Sequence, residues 1–255
     1  MNGAFEIGAV ALKAEQRALE IHANNVANIH TPAFKRTEAR FSEVLGRQAL
    51  SQSGPAGAGP PSTAGGVRVL PQTTLTLQGQ IRATGNPFDL AIEGPGFIEL
   101  LGAGGETIFW RGGTLRVNDD GLLASAGGLP LRAGIIVPGD AEALTIAADG
   151  VVSVRTATQE AFEVGQIDLV RADNDDAFER LDNGLYRAVE GSRLTDARPG
   201  EEGAGLLAQG SIEESNVELT EEMVRMMMVQ RAFAANAQIV QAADQLAAIT
   251  NNLKG

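Results

Sequence analysis

The chain has 255 residues, 44% of them hydrophobic and 4% aromatic, and its 20 Lys and Arg against 32 Asp and Glu give a formal charge of −12. That balance, with no basic cluster along the chain, excludes a surface that tracks nucleic-acid phosphates, and the absence of cysteine excludes disulfides, thiolate metal sites and a cysteine nucleophile. No run approaches the roughly 18–20 consecutive apolar residues of a membrane-spanning helix, so membrane insertion is not expected; nor is a cleaved signal peptide, because Glu6, Lys13, Glu15 and Arg17 interrupt the apolar start.

The charge is uneven. Residues 1–45 hold five bases and five acids, 46–210 hold twelve and twenty-one, and 211–255 hold three and six. Glycine is dense in the middle part and sparse at the two ends, which reads as helix, sheet, helix. The expected fold is α+β: long N- and C-terminal helices paired as a coiled-coil-like bundle, with an all-β middle domain. Its parts are an N-terminal helix and turn (1–45), a flexible connector (46–66), a β-rich domain (67–210) and a C-terminal helix (211–255).

Near the start, Ile7, Ala14, Ile21 and Asn28 recur every seven residues, with Ala11, Ala18 and Asn25 at the four-residue offset. This narrow seam of small residues predicts a helix from about Gly3 to about Ile29. Thr31-Pro32 ends it, since the residue before proline is pushed out of the helical region. From Ser51 to Gly66 only Ser, Gln, Gly, Pro, Ala and Thr occur, a composition that buries little and predicts an extended, mobile connector.

The middle contains short apolar or alternating runs: Asp89–Ile92, Phe97–Leu100, Thr107–Trp110, Gly134–Val137, Val151–Val154 and Gln166–Val170. Asp120-Gly121, Asp149-Gly150 and Asn183-Gly184 suit tight hairpin turns in which glycine supplies positive φ. An all-β middle follows, either an open sheet or an irregular barrel.

In the last segment Leu219, Met226, Phe233, Val240 and Ala247 recur every seven residues, with Met223, Gln230, Ala237, Asp244 and Asn251 at the complementary offset. Ser215 and Glu218 have the spacing of a capping box, and the helix is expected from Asn216 to about Leu253. Met226-Met227-Met228 face three directions on such a helix. Either the helix is a buried core element, or it is surrounded by identical neighbours to which the flexible thioethers adapt.

No pattern calls for catalysis or a cofactor. His22 and His30 lie eight apart without a nearby acid, and a surface or interface role is expected for both. Asp173, Asp175, Asp176 and Glu179 lack the glycine and final acid of a calcium loop and read as a solvated loop. Gly94-Pro95-Gly96 fits no nucleotide fingerprint, and Asp89 and Glu93 form no legible carboxylate pair. The chain is therefore read as non-enzymatic, without cofactor or metal.

Three ordered stretches carry a resemblance. Asn24-Asn25-Val26-Ala27-Asn28 followed by Thr31-Pro32-Ala33-Phe34-Lys35-Arg36 resembles the N-terminal signature of flagellar rod and hook axial proteins, with Ala33 where that family prefers glycine. Asp89–Phe97 resembles the family's D-x-A-I-x-G-x-G-F stretch, and Ser215-Asn216-Val217, Glu221-Glu222-Met223, Gln230-Arg231-Ala232-Phe233 and Asn236 resemble its closing helix. Within the family, Gly205–Gly210 and the connector after residue 45 look most like the distal rod branch, while Leu169–Arg187 also reads like the proximal one. The resemblance implies a structural subunit of the bacterial flagellar basal body that polymerises helically into a torque-transmitting drive shaft. It further implies export by the flagellar type III apparatus without a cleaved signal and a place spanning the periplasm. Implied partners are copies of itself, other rod and hook proteins, the export apparatus, and the surrounding periplasmic and outer-membrane rings. The competing reading is a secreted β-domain adhesin or enzyme oligomerised by its terminal helices. Asn24, Asn25, Asn28, Phe34, Ser215, Asn216, Leu219, Met226, Gln230, Arg231, Phe233, Asn236 and Val240 are the expected assembly residues.

Overall fold

The computed structural model describes residues 2–44, 66–75, 77–172, 174, 177–181, 184–201 and 203–252. The predicted connector before Gly66, the acids at 173, 175 and 176, Asn183 and the predicted helix end at Leu253 lie outside them. The architecture is α+β, with a helix at each end, α1 (Asn2–Ala27) and α2 (Leu219–Asn252), and β-structure in between. The chain divides into two compact units: Met1–Ala27, Thr37–Gln72 and Glu218–Gly255 form one, and Asn28–Arg36 with Thr73–Val217 form the other. No helix of the described residues is long and apolar enough to cross a membrane.

In the helical unit, α1 buries the small-residue seam that the spacing predicts. Ala14, Ala18, Ile21 and Asn25 are buried, whereas Ile7 is exposed. Ala14 and Ile21 pack with Val69 and Ala39 of a two-stranded sheet built from Thr37–Val44 and Gly66–Thr73. α2 has 34 residues and spans about 50 Å at about 1.5 Å rise per residue. α1 and α2 run antiparallel: Gly8, Glu15 and His22, each seven residues apart, meet Val240, Asn236 and Glu222.

Helix α2 begins at Leu219, with Glu222 N–H donating to Glu218 C=O at 3.1 Å. The expected capping box is therefore not formed. Ser215 Oγ accepts instead from Val217 N–H at 3.3 Å, and Asn216 is held by Arg36 N–H, which donates to its Oδ1 at 2.6 Å, while its Nδ2 donates to Leu77 C=O at 2.8 Å. These bonds keep 214–217 extended and delay the helix.

The β unit owes its stability to a sheet buried on both faces. Six strands order as Phe178–Arg180, Leu185–Ala188, Thr107–Trp110, Phe97–Leu101, Leu169–Ala172 and Leu194–Ala197. Ile98, Ile108, Trp110 and Leu169 face one core with Leu90, Ile92, Leu123 and Val152, whereas Phe97, Phe109 and Val170 face a second with Phe178 and Tyr186. Burial on both faces explains continuous apolar runs such as Ile108-Phe109-Trp110. A four-stranded sheet (Leu206–Gln209, Asp89–Glu93, Gly112–Val117, Leu123–Ser125), a three-stranded sheet (Phe162–Gln166, Val151–Thr156, Ala141–Ile146) and the pair Ser211–Glu213 with Ile81–Ala83 complete the unit.

Two expected strands are corrected. Gly134–Val137 forms no strand; Ile135 and Val137 fill the core from a loop, and Ile136 makes one isolated bridge to Leu122. Gln166–Val170 is broken at Ile167-Asp168, because Gln166 pairs with Val151 in one sheet while Leu169 and Val170 pair with Ile98 and Phe97 in another. The hairpin glycines behave as the dipeptides predict, with φ of 76° at Gly121, 91° at Gly150 and 72° at Gly184.

Candidate assembly site

Two polar clusters organise the segments that carry the signature residues. In the helical unit, the turn after α1 leaves Asn25 fully buried, and its side chain pairs with the backbone of Thr37 in both directions. Nδ2 donates to Thr37 C=O at 2.8 Å, and Thr37 N–H donates to Oδ1 at 3.0 Å. Asn25 Nδ2 also reaches Glu222 Oε2 at 3.2 Å, to which His22 Nδ1 donates at 2.7 Å. Glu222 is fully buried, and its second oxygen has no hydrogen-bond partner among the described residues. Of the two histidines expected in a surface or interface role, His22 is buried where α1 meets α2, while His30 is exposed. Farther along the helix pair, Asn236 Nδ2 donates to Glu15 Oε1 at 2.6 Å. Burial pushes the Glu15 carboxyl above its usual range, and the Asn236 hydrogen bond offsets part of that shift.

In the β unit, Lys35, Arg111 and Glu213 form a buried ionic cluster. Lys35 Nζ donates to Glu213 Oε1 at 2.5 Å and to Leu77 C=O at 2.8 Å. Arg111 donates to Glu213 Oε2 through Nη2 at 3.0 Å and Nε at 3.2 Å, and through its other amine to Gly94 C=O at 2.9 Å and Gly96 C=O at 2.6 Å. Gly79 N–H supplies a further bond to Glu213 Oε1 at 2.9 Å. Gly94 and Gly96 have φ of 111° and 136°, conformations that L side chains rarely adopt, and this is how the Gly-Pro-Gly turn presents two carbonyls to one guanidinium. Every charge in the cluster is paired and hydrogen-bonded, the condition under which buried ions are tolerated. Sequence reasoning quoted Lys35 only as part of a signature and missed Arg111 and Glu213. The available signal was charge placed against buried runs, Arg111 directly after Ile108-Phe109-Trp110 and Glu213 directly after Ile212.

The structure disperses the expected assembly residues. Phe34 is buried beneath the Arg180 guanidinium, 3.7 Å from its ring centroid. Asn28 is half-buried, its Oδ1 accepting from Thr31 Oγ at 3.1 Å, while Asn24 is exposed. Ser215 and Asn216 are half-buried in the segment before α2. On α2 the side turned to α1 carries Glu222, Val229, Asn236, Val240 and Ala243. The seven-residue stripe lies along the edge of that face: Met226 and Val240 are half-buried, and Leu219 and Phe233 are exposed, as are Gln230 and Arg231 outside the stripe. Apolar side chains also stand uncovered on the remaining faces, at Met223, Val224, Met227, Met228, Ile239, Leu246 and Ile249. α2 therefore carries exposed apolar side chains on several faces, interspersed with polar ones, and among the described residues only one face is covered, which is the pattern of a helix completed by neighbours.

Three family models match in chain order: the flagella basal body rod protein over residues 5–35, the flagellar hook protein FlgE/F/G D1 domain over 91–154, and the flagellar basal body rod FlgEFG protein C-terminal over 208–253. The chain is 34% identical over 98% of its length to the flagellar basal-body rod protein FlgG of Caulobacter vibrioides, 99% of which is covered. The chain belongs to the flagellar basal-body rod protein family. FlgG of Bacillus subtilis is 31% identical, with 97% of each chain covered, and FlgF of Caulobacter vibrioides is 30% identical, with 94% of this chain and 93% of that protein covered. The protein is a structural subunit of the flagellar basal-body rod. Each matched segment contributes one member of the ionic cluster: Lys35, Arg111 and Glu213.

Ala33, where the resemblance leads one to expect glycine, has φ of 55°, is buried, and donates its N–H to Glu213 C=O at 2.8 Å. The left-handed conformation explains the preference for glycine, and here an alanine occupies it under strain.

Proposed function

We propose that the protein polymerises helically into the distal part of the flagellar drive shaft and carries torque toward the hook. In this reading α1 and α2 pair as a coiled-coil-like bundle that packs against copies of itself, so that residues 1–45 and 211–255 form the axial core. Of the β domain expected over 67–210, residues 67–72 belong instead to the helical unit, where Gly66–Thr73 pairs with Thr37–Val44, so the expected connector 46–66 falls in sequence between two strands of that unit. The observation that carries it is α2, whose apolar side chains stand uncovered on several faces along about 50 Å of helix. Exposure on this scale destabilises a solitary chain and becomes favourable when neighbours bury it, at about 1.5–3 kcal/mol per fully buried large side chain.

The assembly contacts fall to Leu219, Met226, Gln230, Arg231 and Phe233 on α2 and to Asn24 on α1, while Val240, packed on Gly8, joins the two helices and adds its half-exposed side to the seven-residue stripe. Asn25, Asn28, Phe34, Ser215, Asn216 and Asn236 fix the chain segments that carry these contacts. The protein performs no catalysis in this reading; the buried charges of Lys35, Arg111 and Glu213 pair with one another. Its partners are further copies of itself and the adjoining rod and hook proteins, and it passes through the flagellar export apparatus. In place it spans the periplasm within the surrounding rings.

Concentrated purified protein tests this by sedimentation and negative-stain imaging. Filaments or tubes support the reading, and discrete small oligomers would favour a helix-oligomerised secreted β domain.

A further inference from the structure

The chain holds five methionines and no cysteine, and apart from Met1 all of its sulfur lies in six residues of α2, at Met223, Met226, Met227 and Met228. Three of these thioethers are open to solvent: Met223 is 54% exposed, Met227 50% and Met228 63%. The single Trp and single Tyr, the next most oxidisable side chains, are buried at Trp110 and Tyr186. The four-residue step from Met223 to Met227 sets them on one side of α2, and Met228 opens on another. Accessible oxidisable chemistry in this chain is thus concentrated on the helix faces left without a partner.

We propose that Met223, Met227 and Met228 form a reversible oxidation site that decides whether a subunit can enter the polymer. In the step, the thioether sulfur attacks one oxygen of hydrogen peroxide, the O–O bond breaks, an S–O bond forms, and the leaving hydroxide takes the proton of the transferred oxygen and departs as water. Sulfur is oxidised by two electrons and the peroxide is reduced by two. The sulfoxide turns a flexible apolar side chain into a polar one, and burying it without a hydrogen-bond partner is unfavourable. A free subunit exposes the site, whereas packing over these faces shields it, so oxidation discriminates between unassembled and assembled copies. The inference rests on the assembly reading above.

The test uses the full-length chain and hydrogen peroxide, quenched before assembly is measured. Peptide mapping by mass spectrometry should find sulfoxide at Met223, Met227 and Met228 ahead of half-buried Met226. Pelletable polymer should fall by about tenfold or more, since each buried unpaired polar group opposes packing. Peroxide added after assembly should leave the same residues largely unmodified. The triple variant Met223→Leu, Met227→Leu, Met228→Leu should polymerise equally with and without peroxide, and methionine sulfoxide reductases should restore the oxidised wild type. Triply oxidised protein that polymerises like the reduced protein would overturn this inference alone, as would a leucine variant that loses polymer to peroxide as the wild type does. Reduced protein that forms no polymer would overturn the assembly reading together with it.

Discussion

The β unit and the helical unit dispose of their apolar side chains in opposite ways. In the β unit Leu90, Ile92, Ile98, Leu100, Leu123, Val152 and Tyr186 are almost completely enclosed, and even the buried charges of Lys35, Arg111 and Glu213 find partners within the unit. In the helical unit the enclosed cluster is Ala14, Ile21 and Val69, while α2 shows Phe233, Ile239, Leu246 and Ile249 to solvent. The contrast teaches that folding and assembly draw on separate stocks of apolar surface. The β unit encloses most of its large apolar side chains, with Leu77 and Ile136 among those left exposed, whereas the helical unit leaves much of the apolar surface of α2 uncovered among the described residues.

The comparison breaks most visibly if the β unit is not self-satisfied. Glu213→Ala leaves the Lys35 and Arg111 cations buried without their shared carboxylate, and should cost about 3–5 kcal/mol of stability in denaturant unfolding. A loss below about 1 kcal/mol, the range of exposed pairs, would mean that water reaches the cluster.

A second probe reads the same enclosure from the tyrosine. Tyr186 is the only tyrosine, and burial pushes its phenol up to about 12 from 10.0, with Arg180 and Arg111 pulling the other way. Because the folded chain favours the neutral phenol, this contribution to stability is fully present below about pH 10 and is lost as the pH rises through about 12. Spectrophotometric titration should place the folded transition about two units above that of the unfolded chain; a midpoint near 10 would show a solvated ring.

A smaller effect sharpens the account of the turn before the cluster. Ala33→Gly removes the strain of a left-handed alanine but loosens the unfolded chain, so the net gain should be about 0.5–1 kcal/mol by thermal melting.

How much of this was legible in the sequence follows the range of the interactions. The two terminal helices and the hairpin glycines at 121 and 150 are local matters of periodicity and φ, and residues a turn apart reveal them. The ionic cluster was not legible, because it joins side chains at positions 35, 111 and 213, and nothing near any one of them names the other two. His22 with Glu222 is the same case at a separation of 200 residues. Gly134–Val137 misled because an apolar run reports burial, not pairing, and a core-filling loop satisfies it as well as a strand does. The capping box failed because Asn216, one of the two residues between its members, is bound to Arg36 and Leu77. On α2 the seven-residue repeat marked an apolar stripe correctly, but which stripe meets α1 depends on Gly8, Glu15 and His22 on the other helix.

The central claim is that α2 keeps its apolar surface for neighbours and not for its own chain, and Phe233→Ala tests it most directly. Phe233 is 43% exposed, so the substitution should lower the monomer's unfolding free energy by no more than about 1.5 kcal/mol, roughly half the value of a fully buried large side chain. Enclosed by neighbouring subunits, the same truncation should cost roughly 3–5 kcal/mol per copy and abolish polymer at concentrations where the wild type assembles. Measured side by side, a monomer within that limit and no polymer is the predicted result; a monomer destabilised by several kcal/mol, or a polymer that forms normally, would contradict it.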